Sequence, residues 1–434
     1  MGAVFVTMFA SLFPLLAGGI WIGLALGITG TVMLAVFRSM PLEKLIPQYT
    51  WNILTTSELV ALPLFIIMGE ILFRTKLSRS LFNGLAPTMG LLPGRLLHVN
   101  VVGCSIFAAI SGSSAATAQV VGRISLDELT RRGYGRDIAI GSLAGAGTLG
   151  FLIPPSNIMI IYGVFADVSI LKLFAAGLIP GILLAVIFMS WIALHTTLRP
   201  DFLPDDGSTL QDMSLARRIA AMRELAPFLI LVLCVLGSMY GGISTPSEAA
   251  AIGVLGALAI AFKQGSLNAK ALRDIALGAV STCSMIALIL LGAIILSNAS
   301  AFLGVPGAVA GFVGDLGLSP YALIVVLILL YILLGCFLDG FSMIVMSLPI
   351  VLPLIAAAGF DKLWFGVFLV IVIEMSQITP PVGFNLFVIQ GLTGESLGRI
   401  TRVTLPYLLI MAAFAFLMAV VPGIALWLPS VIGQ

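Results

Sequence analysis

Charge is the scarcest property of this sequence. Asp, Glu, Lys and Arg make up 9% of its 434 residues, against 60% that are apolar. A water-soluble domain carries about 25% charged residues, and so little charge could not cover a water-facing surface. A soluble enzyme, a nucleic-acid reader and a single-pass receptor are thereby excluded. At the ~20 residues needed to cross a bilayer, the apolar content allows on the order of a dozen spans. Cysteine is nearly as sparse: Cys104, Cys234, Cys283 and Cys336 all lie in apolar segments without paired spacing, so neither a disulfide frame nor a zinc site is expected. No GxxxxGK[ST] phosphate loop, HExxH pair or intramembrane protease pattern occurs, so neither ATP hydrolysis nor other enzymatic chemistry is expected. The run Gly2–Phe37 lacks a basic leader and a convincing cleavage site, and is expected to remain as membrane structure.

What is present is an all-α, multi-pass pattern. Apolar stretches fall near 3–37 (two short helices meeting at Gly18-Gly19), 51–73, 138–166, 170–198, 226–240, 243–262, 275–298, 361–391 and 403–428. Two others, 96–124 and 319–358, are interrupted midway by Ser111-Gly112-Ser113-Ser114 and by Asp339-Gly340. Small or charged residues at mid-span predict re-entrant hairpins with tips at membrane depth. Irregular backbone is tolerated there only when buried in protein or lining a wet cavity.

The basic residues orient the chain. Of the 21, only Arg38, Lys44, Lys172 and Lys362 cannot be placed on one common side. The positive-inside rule makes the crowded side cytoplasmic, with both termini outside and the hairpins entering from opposite faces. The polar loop 199–224 bisects the chain, and the halves resemble each other. Gly18-Gly19-Ile20 recurs as Gly241-Gly242-Ile243, Gly112 as Gly340, and Pro154-Pro155 as Pro380-Pro381, at offsets of 223, 228 and 226 residues. With opposite helix directions this predicts an inverted repeat, a device of secondary transporters; an old duplication in a channel is the alternative. The expected division is a first repeat over 1–200, a cytoplasmic linker over 201–225 and a second repeat over 226–434.

The double prolines mark where chemistry is expected. Pro154-Pro155 and Pro380-Pro381 each remove backbone donors in mid-membrane and split a span into half-helices. Carbonyls freed before a break can coordinate a cation, and the N–H groups opening the next half-helix suit an anion. Asn157 and Asn385 occupy equivalent places beyond the breaks. Ser111, Ser113, Ser114 and Thr117 supply hydroxyls, Gly112 permits close approach, and Asp339 is the one acid at a hairpin tip. Hard oxygen donors suit a small cation such as Na⁺, although such hydroxyls also serve helix packing. Glu58, Glu70, Glu248 and Glu374 read as interfacial, capping or paired acids. His98 and His195 read as interfacial, and Lys76–Met89 reads as an amphipathic arm on the cytoplasmic surface.

These residues carry a resemblance. Leu62–Glu70 (LPLFIIMGE), Ile106–Thr117 (IFAAISGSSAAT), Arg132–Tyr134 (RGY), Ala144–Gly163 (AGAGTLGFLIPPSNIMIIYG), Thr245–Gly253 (TPSEAAAIG), Asp339, Ser347–Pro353 (SLPIVLP) and Thr379–Phe387 (TPPVGFNLF) form one set. With them the chain resembles, nearly end to end, the large membrane subunit of tripartite ATP-independent periplasmic (TRAP) transporters of the C4-dicarboxylate/sialic acid permease type. Gly340, after the hairpin acid, departs from that pattern. The resemblance implies the ion-transporter-superfamily fold and an elevator mechanism, with hairpins and broken helices moving against a scaffold. It implies Na⁺ as coupling ion, bound by Ser111, Gly112, Ser113, Ser114 and Pro154 and by Asp339, Gly340, Thr379 and Gly383. Ser114, Ser156, Asn157, Val382 and Asn385 would hold a carboxylate substrate. It further implies a small four-helix membrane subunit, a periplasmic substrate-binding protein and a bacterial inner membrane, with no nucleic-acid partner and no further cofactor. A stand-alone Na⁺- or H⁺-coupled carboxylate carrier is the rival expectation.

Overall fold

A computed structural model describes residues 1–38, 41–75, 77–204, 214–336, 338–381 and 383–432, without the side chains of 77–79, 215 and 217. The described residues form helices and connecting turns, with no strand. Six helices are long and apolar enough to cross a membrane: Ile170–Leu198, Arg218–Tyr240, Pro246–Lys263, Ala269–Phe302, Gly340–Ala357 and Leu397–Val420. A seventh candidate is the pair Leu42–Leu54 and Ser57–Phe73, bent by 55° at its junction. The shortfall from a dozen spans has a physical cause: much of the apolar sequence lies in helices of 10–17 residues, too short to cross alone.

In chain order these helices are α1 (Gly2–Ala17), α2 (Ile22–Phe37), α3 (Leu42–Leu54), α4 (Ala61–Phe73), α5 (Leu77–Met89), α6 (Leu97–Ser111), α7 (Ser114–Arg131), α8 (Arg136–Gly147), α9 (Asn157–Ala166) and α10 (Ile170–Leu198). After the 199–214 connection come α11 (Leu215–Met222), α12 (Ala226–Tyr240), α13 (Pro246–Lys263), α14 (Ala269–Phe302), α15 (Val305–Asp315), α16 (Pro320–Leu334), α17 (Gly340–Ala357), α18 (Lys362–Gln377), α19 (Phe384–Thr393), α20 (Leu397–Val420) and α21 (Gly423–Ile432). Side-chain oxygens set many of the starts. Thr245 and Glu248 form a reciprocal capping box on α13, while Ser169, Asn268, Ser319, Asp361 and Ser396 each accept from their helix's first turn.

Two packing groups position the site. In the first, α2 lies along α14 and α4 along α13. The α2–α14 seam is a close backbone approach: a Cβ on Gly23 would stand 2.3 Å from the Leu288 carbonyl oxygen, and one on Gly30 2.7 Å from the Leu296 nitrogen. Small residues at helical spacing permit this contact where lipid gives no hydrophobic drive. In the second group α6, α7 and α8 pack together, α20 lies on α8, and α18 is walled by α9, α10, α16, α17 and α20. All the described residues of α18 from Trp364 to Gln377 are buried. At one end of this group Arg136 meets Glu395 at 2.7 Å and Arg399 meets Asp137 at 2.8 Å, joining the start of α8 to the turn between α19 and α20.

Several expectations need adjustment. The 51–73 stretch is not one helix but a bent pair, and α15 was not foreseen at all. The helix beginning at Ala269 does not end at Asn298 but continues to Phe302, because Asn298 bonds back to the Ile294 carbonyl (2.8 Å) within it. The 77–89 helix is packed into the protein, burying Leu81, Phe82, Leu85 and Ala86, with Gly84 against Leu225. His98 is buried rather than interfacial, and its Nε2 lies 2.5 Å from the Pro93 carbonyl oxygen.

Gly30→Val is expected to lower stability by roughly 2 kcal/mol through overpacking of the seam. Gly307→Ala, with open space around its Cβ position in α15, should hold stability or raise it by up to about 1 kcal/mol. Thermal unfolding of the detergent-solubilised chain checks both; equal melting temperatures would refute the close-packed seam.

Candidate functional site

The first interrupted segment turns on a glycine. α6 ends at Ser111, Gly112 takes the left-handed region (φ +56°), and α7 opens with Ser113 as its cap. Hydroxyls lace this turn: Ser111 Oγ and Thr117 Oγ1 are 3.0 Å apart, the Ser113 N–H donates to Ser111 Oγ (3.3 Å), and Thr117 Oγ1 donates to the Ser113 carbonyl (2.7 Å). The first double-proline break faces it. α8 ends in a 3-10 turn, Thr148–Gly150. The Pro154-Pro155 bond is cis, and Ser156 caps α9 by accepting from the Met159 N–H (3.4 Å).

Turn and break touch directly. The Asn157 N–H donates to the Gly112 carbonyl, and Asn157 Nδ2 donates to the Ser111 carbonyl, both at 3.4 Å. A Cβ on Gly112 would lie 2.9 Å from the Pro155 oxygen, and one on Gly150 only 2.4 Å from Ser114 Cα. Ser111, Gly112, Ser113, Ser114, Pro154, Pro155, Ser156 and Asn157 therefore form one cluster, buried except for half-buried Ser113.

The second half repeats the plan with different parts. Asp339 caps α17, accepting from the Phe341 N–H (3.0 Å) and from the Ser342 hydroxyl. The break after α18 holds a cis Pro380-Pro381 bond and opens α19 at Phe384, with Gly383 in the capping position. Thr379 Oγ1 donates to the Met375 carbonyl (2.7 Å), and the Gly383 N–H donates to the Thr379 carbonyl (3.1 Å). Val382 lies outside the described residues. Asn385 is buried and neither amide atom has a partner; Asn157 Oδ1 and Gln377 Nε2 are likewise unpartnered.

The halves meet at Phe151. Its ring packs edge-on against Phe341 (5.6 Å, 70°), and Gly340 sits against Ile158 and Ile373. α19 packs along α7, with Leu392 beside Gly122. No described hydrogen bond joins Asp339, Gly340, Thr379 or Asn385 to the first cluster.

Glu374 is neither interfacial nor a cap but takes the third expected form, a pair between helices, fully buried in the last turn of α18. Its Oε1 accepts from the Ser114 hydroxyl and from the Phe151 N–H (2.9 Å), so it ties the first turn and the first break to the second half. The available signal was an acid five residues ahead of Thr379-Pro380-Pro381 in an otherwise apolar run. The other acids suit the structural reading: Glu248 completes the capping box, Glu70 pairs with Arg74 at 3.3 Å, and Glu58 accepts from Ser57.

A cavity of about 1010 Å³ opens at the end of the first broken span away from Arg136. The α3–α4 bend, the α9–α10 turn and the start of α13 line it. Among the described residues its wall carries Asn52, Glu58, Asp167, Ser169 and Asn298 and no Lys or Arg.

Apolar helices of spanning length, two proline-broken helices and an oxygen-rich buried cluster where they meet define a multi-pass membrane permease. Residues 9–424 match the family described as the tripartite ATP-independent periplasmic transporter, DctM component, and the chain belongs to that family as a large permease subunit. It is 32% identical to the C4-dicarboxylate TRAP transporter large permease protein of Pseudomonas aeruginosa, over 94% of this chain and 95% of that one. The sialic acid TRAP transporter large permease protein of Vibrio cholerae is 28% identical, over 86% of each. Among solved structures, the MtrF protein of Neisseria gonorrhoeae, titled as one of a class of antimetabolite efflux pumps, shares the fold. Its TM-score is 0.51 at 13% identity, over 91% of this chain and 85% of that one.

Gly150→Ala should separate the break from the turn at Ser114. Overpacking of this kind costs about 1–3 kcal/mol. Transport is expected to fall more than tenfold while the protein still purifies as a monodisperse species, and wild-type uptake would refute the contact.

Proposed function

We propose that this permease carries out Na⁺-coupled uptake of an organic acid across a bacterial inner membrane. The observation that carries the reading is the buried cluster at Ser111–Ser114 and Pro154–Asn157. It offers hydroxyl, carbonyl and amide oxygens to a small cation, and none of its residues is basic. In this reading one Na⁺ site uses Ser111, Gly112, Ser113, Ser114 and Pro154, and a second uses Asp339, Gly340, Thr379 and Gly383. The substrate lies between them, against Ser114, Ser156, Asn157, Val382 and Asn385. A carboxylate is held there without a basic side chain, by helix N-termini and amides. The unpartnered amide of Asn385 supports this, since a buried amide without partners is costly unless a ligand supplies them.

The paired double-proline breaks and paired turns support an inverted repeat, 1–200 and 226–434 about the linker 201–225. The short helices around each turn support re-entrant hairpins. The Arg136–Glu395 and Arg399–Asp137 pairs, and the Glu374 link, support a single moving body made from both halves. That body slides past the α2–α14 and α4–α13 scaffold in an elevator cycle. The 1010 Å³ cavity is then the periplasmic vestibule, which agrees with periplasmic termini. A periplasmic binding protein delivers the acid there, and a small four-helix subunit braces the scaffold. The C4-dicarboxylate and sialic acid relatives point to a carboxylate as cargo.

The test is reconstitution in proteoliposomes with the small subunit and the loaded binding protein. Uptake should saturate, require both partners and disappear when choline replaces Na⁺; uptake by this chain alone would favour a stand-alone carrier. Ser113→Ala and Asn385→Ala should each reduce Na⁺-dependent uptake about tenfold or more without loss of folded protein. Wild-type behaviour in both would overturn the site assignment.

A further inference from the structure

Glu374 belongs to none of the residue sets assigned above, yet among the described residues it is the only buried Asp, Glu, Lys or Arg. We propose that Glu374 is the positioning residue of the Na⁺ site at the first turn. It is supplied by the second half of the chain, aims the oxygens of Ser114 and of the first break at the ion, and provides the ion's counter-charge. This inference rests on the reading of Ser111–Ser114 and Pro154 as Na⁺ ligands.

Three observations carry it. A serine hydroxyl has one proton and two lone pairs, and it ligates a cation only when its proton points elsewhere. Thr117 sends its proton to the Ser113 carbonyl within its own helix, whereas Ser114 sends its proton to Glu374 Oε1. That bond fixes Ser114's lone pairs away from α18. Second, the Phe151 N–H, released where α8 gives way to the break, is held by the same oxygen at 2.9 Å. The peptide leading into the 151–154 carbonyls is thereby fixed in orientation. Outer partners of this kind tune cation sites as strongly as some direct ligands.

Third, among the described residues the carboxylate has no counter-charge. Oε2 is buried and has no hydrogen-bond partner, and no described Lys, Arg or His pairs with Glu374. Asp339, the acid of the second turn, is occupied with Phe341 and Ser342. A cation beside Ser114 would supply that counter-charge across one hydroxyl and favour the ionised carboxylate.

The experiment uses the three-component transporter in proteoliposomes, with Na⁺ titrated at saturating loaded binding protein. In parallel, Na⁺-induced thermal stabilisation of the purified membrane complex is read without transport. Glu374→Gln keeps the shape and an acceptor oxygen while removing the charge. It should raise the Na⁺ concentration for half-maximal uptake by about tenfold or more, change the maximal rate much less, and shift the stabilisation curve equally. Ser114→Ala should do the same, and in the double variant the two effects should combine to less than their product, because part of the Glu374 effect passes through Ser114. If Glu374→Gln lowers maximal rate or yield with an unchanged Na⁺ half-saturation and stabilisation curve, Glu374 is a packing residue and the inference is overturned. Ser113→Ala separates the two levels. Altered Na⁺ dependence there with none in Glu374→Gln sinks this inference alone, and unaltered dependence in both sinks the ion-site reading itself.

Discussion

Every interruption of a helix inside a bilayer releases backbone donors and acceptors that lipid cannot satisfy, and the site is organised around that single constraint. Two double-proline breaks and two turns between helices create the free groups. The first turn and first break then satisfy one another: the Gly112 and Ser111 carbonyls accept from Asn157, and Glu374 takes the Phe151 N–H. The glycines at 112 and 150 follow from this, because the groups must approach to hydrogen-bond distance. The same exposed oxygens that the fold has to manage are the ones a cation can use.

The two halves meet the constraint unequally. In the first, hydroxyls crowd the turn and the acid comes from elsewhere in the chain. In the second, the acid is in the turn itself and is spent on starting α17, while Asn385 and Gln377 keep unpartnered atoms. Two similar arrangements of turn and break have thus been filled with different chemistry.

Much of this was legible in the sequence. Prolines and glycines act locally, so the breaks at 154–155 and 380–381, the turns at 112 and 339–340, and the meeting of α1 and α2 could be placed from composition alone. The packing of the 77–89 arm and the bend between α3 and α4 escaped because an apolar run does not say what it packs on or where it bends, and α15 because its 11 residues between Gly304 and Gly317 fall short of a spanning run. The burial of Glu374 and the identity of its partners escaped for another reason. Its partners lie 260 and 223 residues away in the chain, and nothing local separates an acid that ends a helix at the interface from one sealed in the interior.

The span of the Glu374 contacts has a consequence for biogenesis. A chain made from its N-terminus inserts the first turn and the first break long before α18 leaves the ribosome. Until then Ser114 and the Phe151 N–H lack their acceptor, and the first half stands in the membrane unfinished. The contact that ties the first break to the second half of this permease therefore forms late, after most of the chain has been made, while α19, α20 and α21 still follow it.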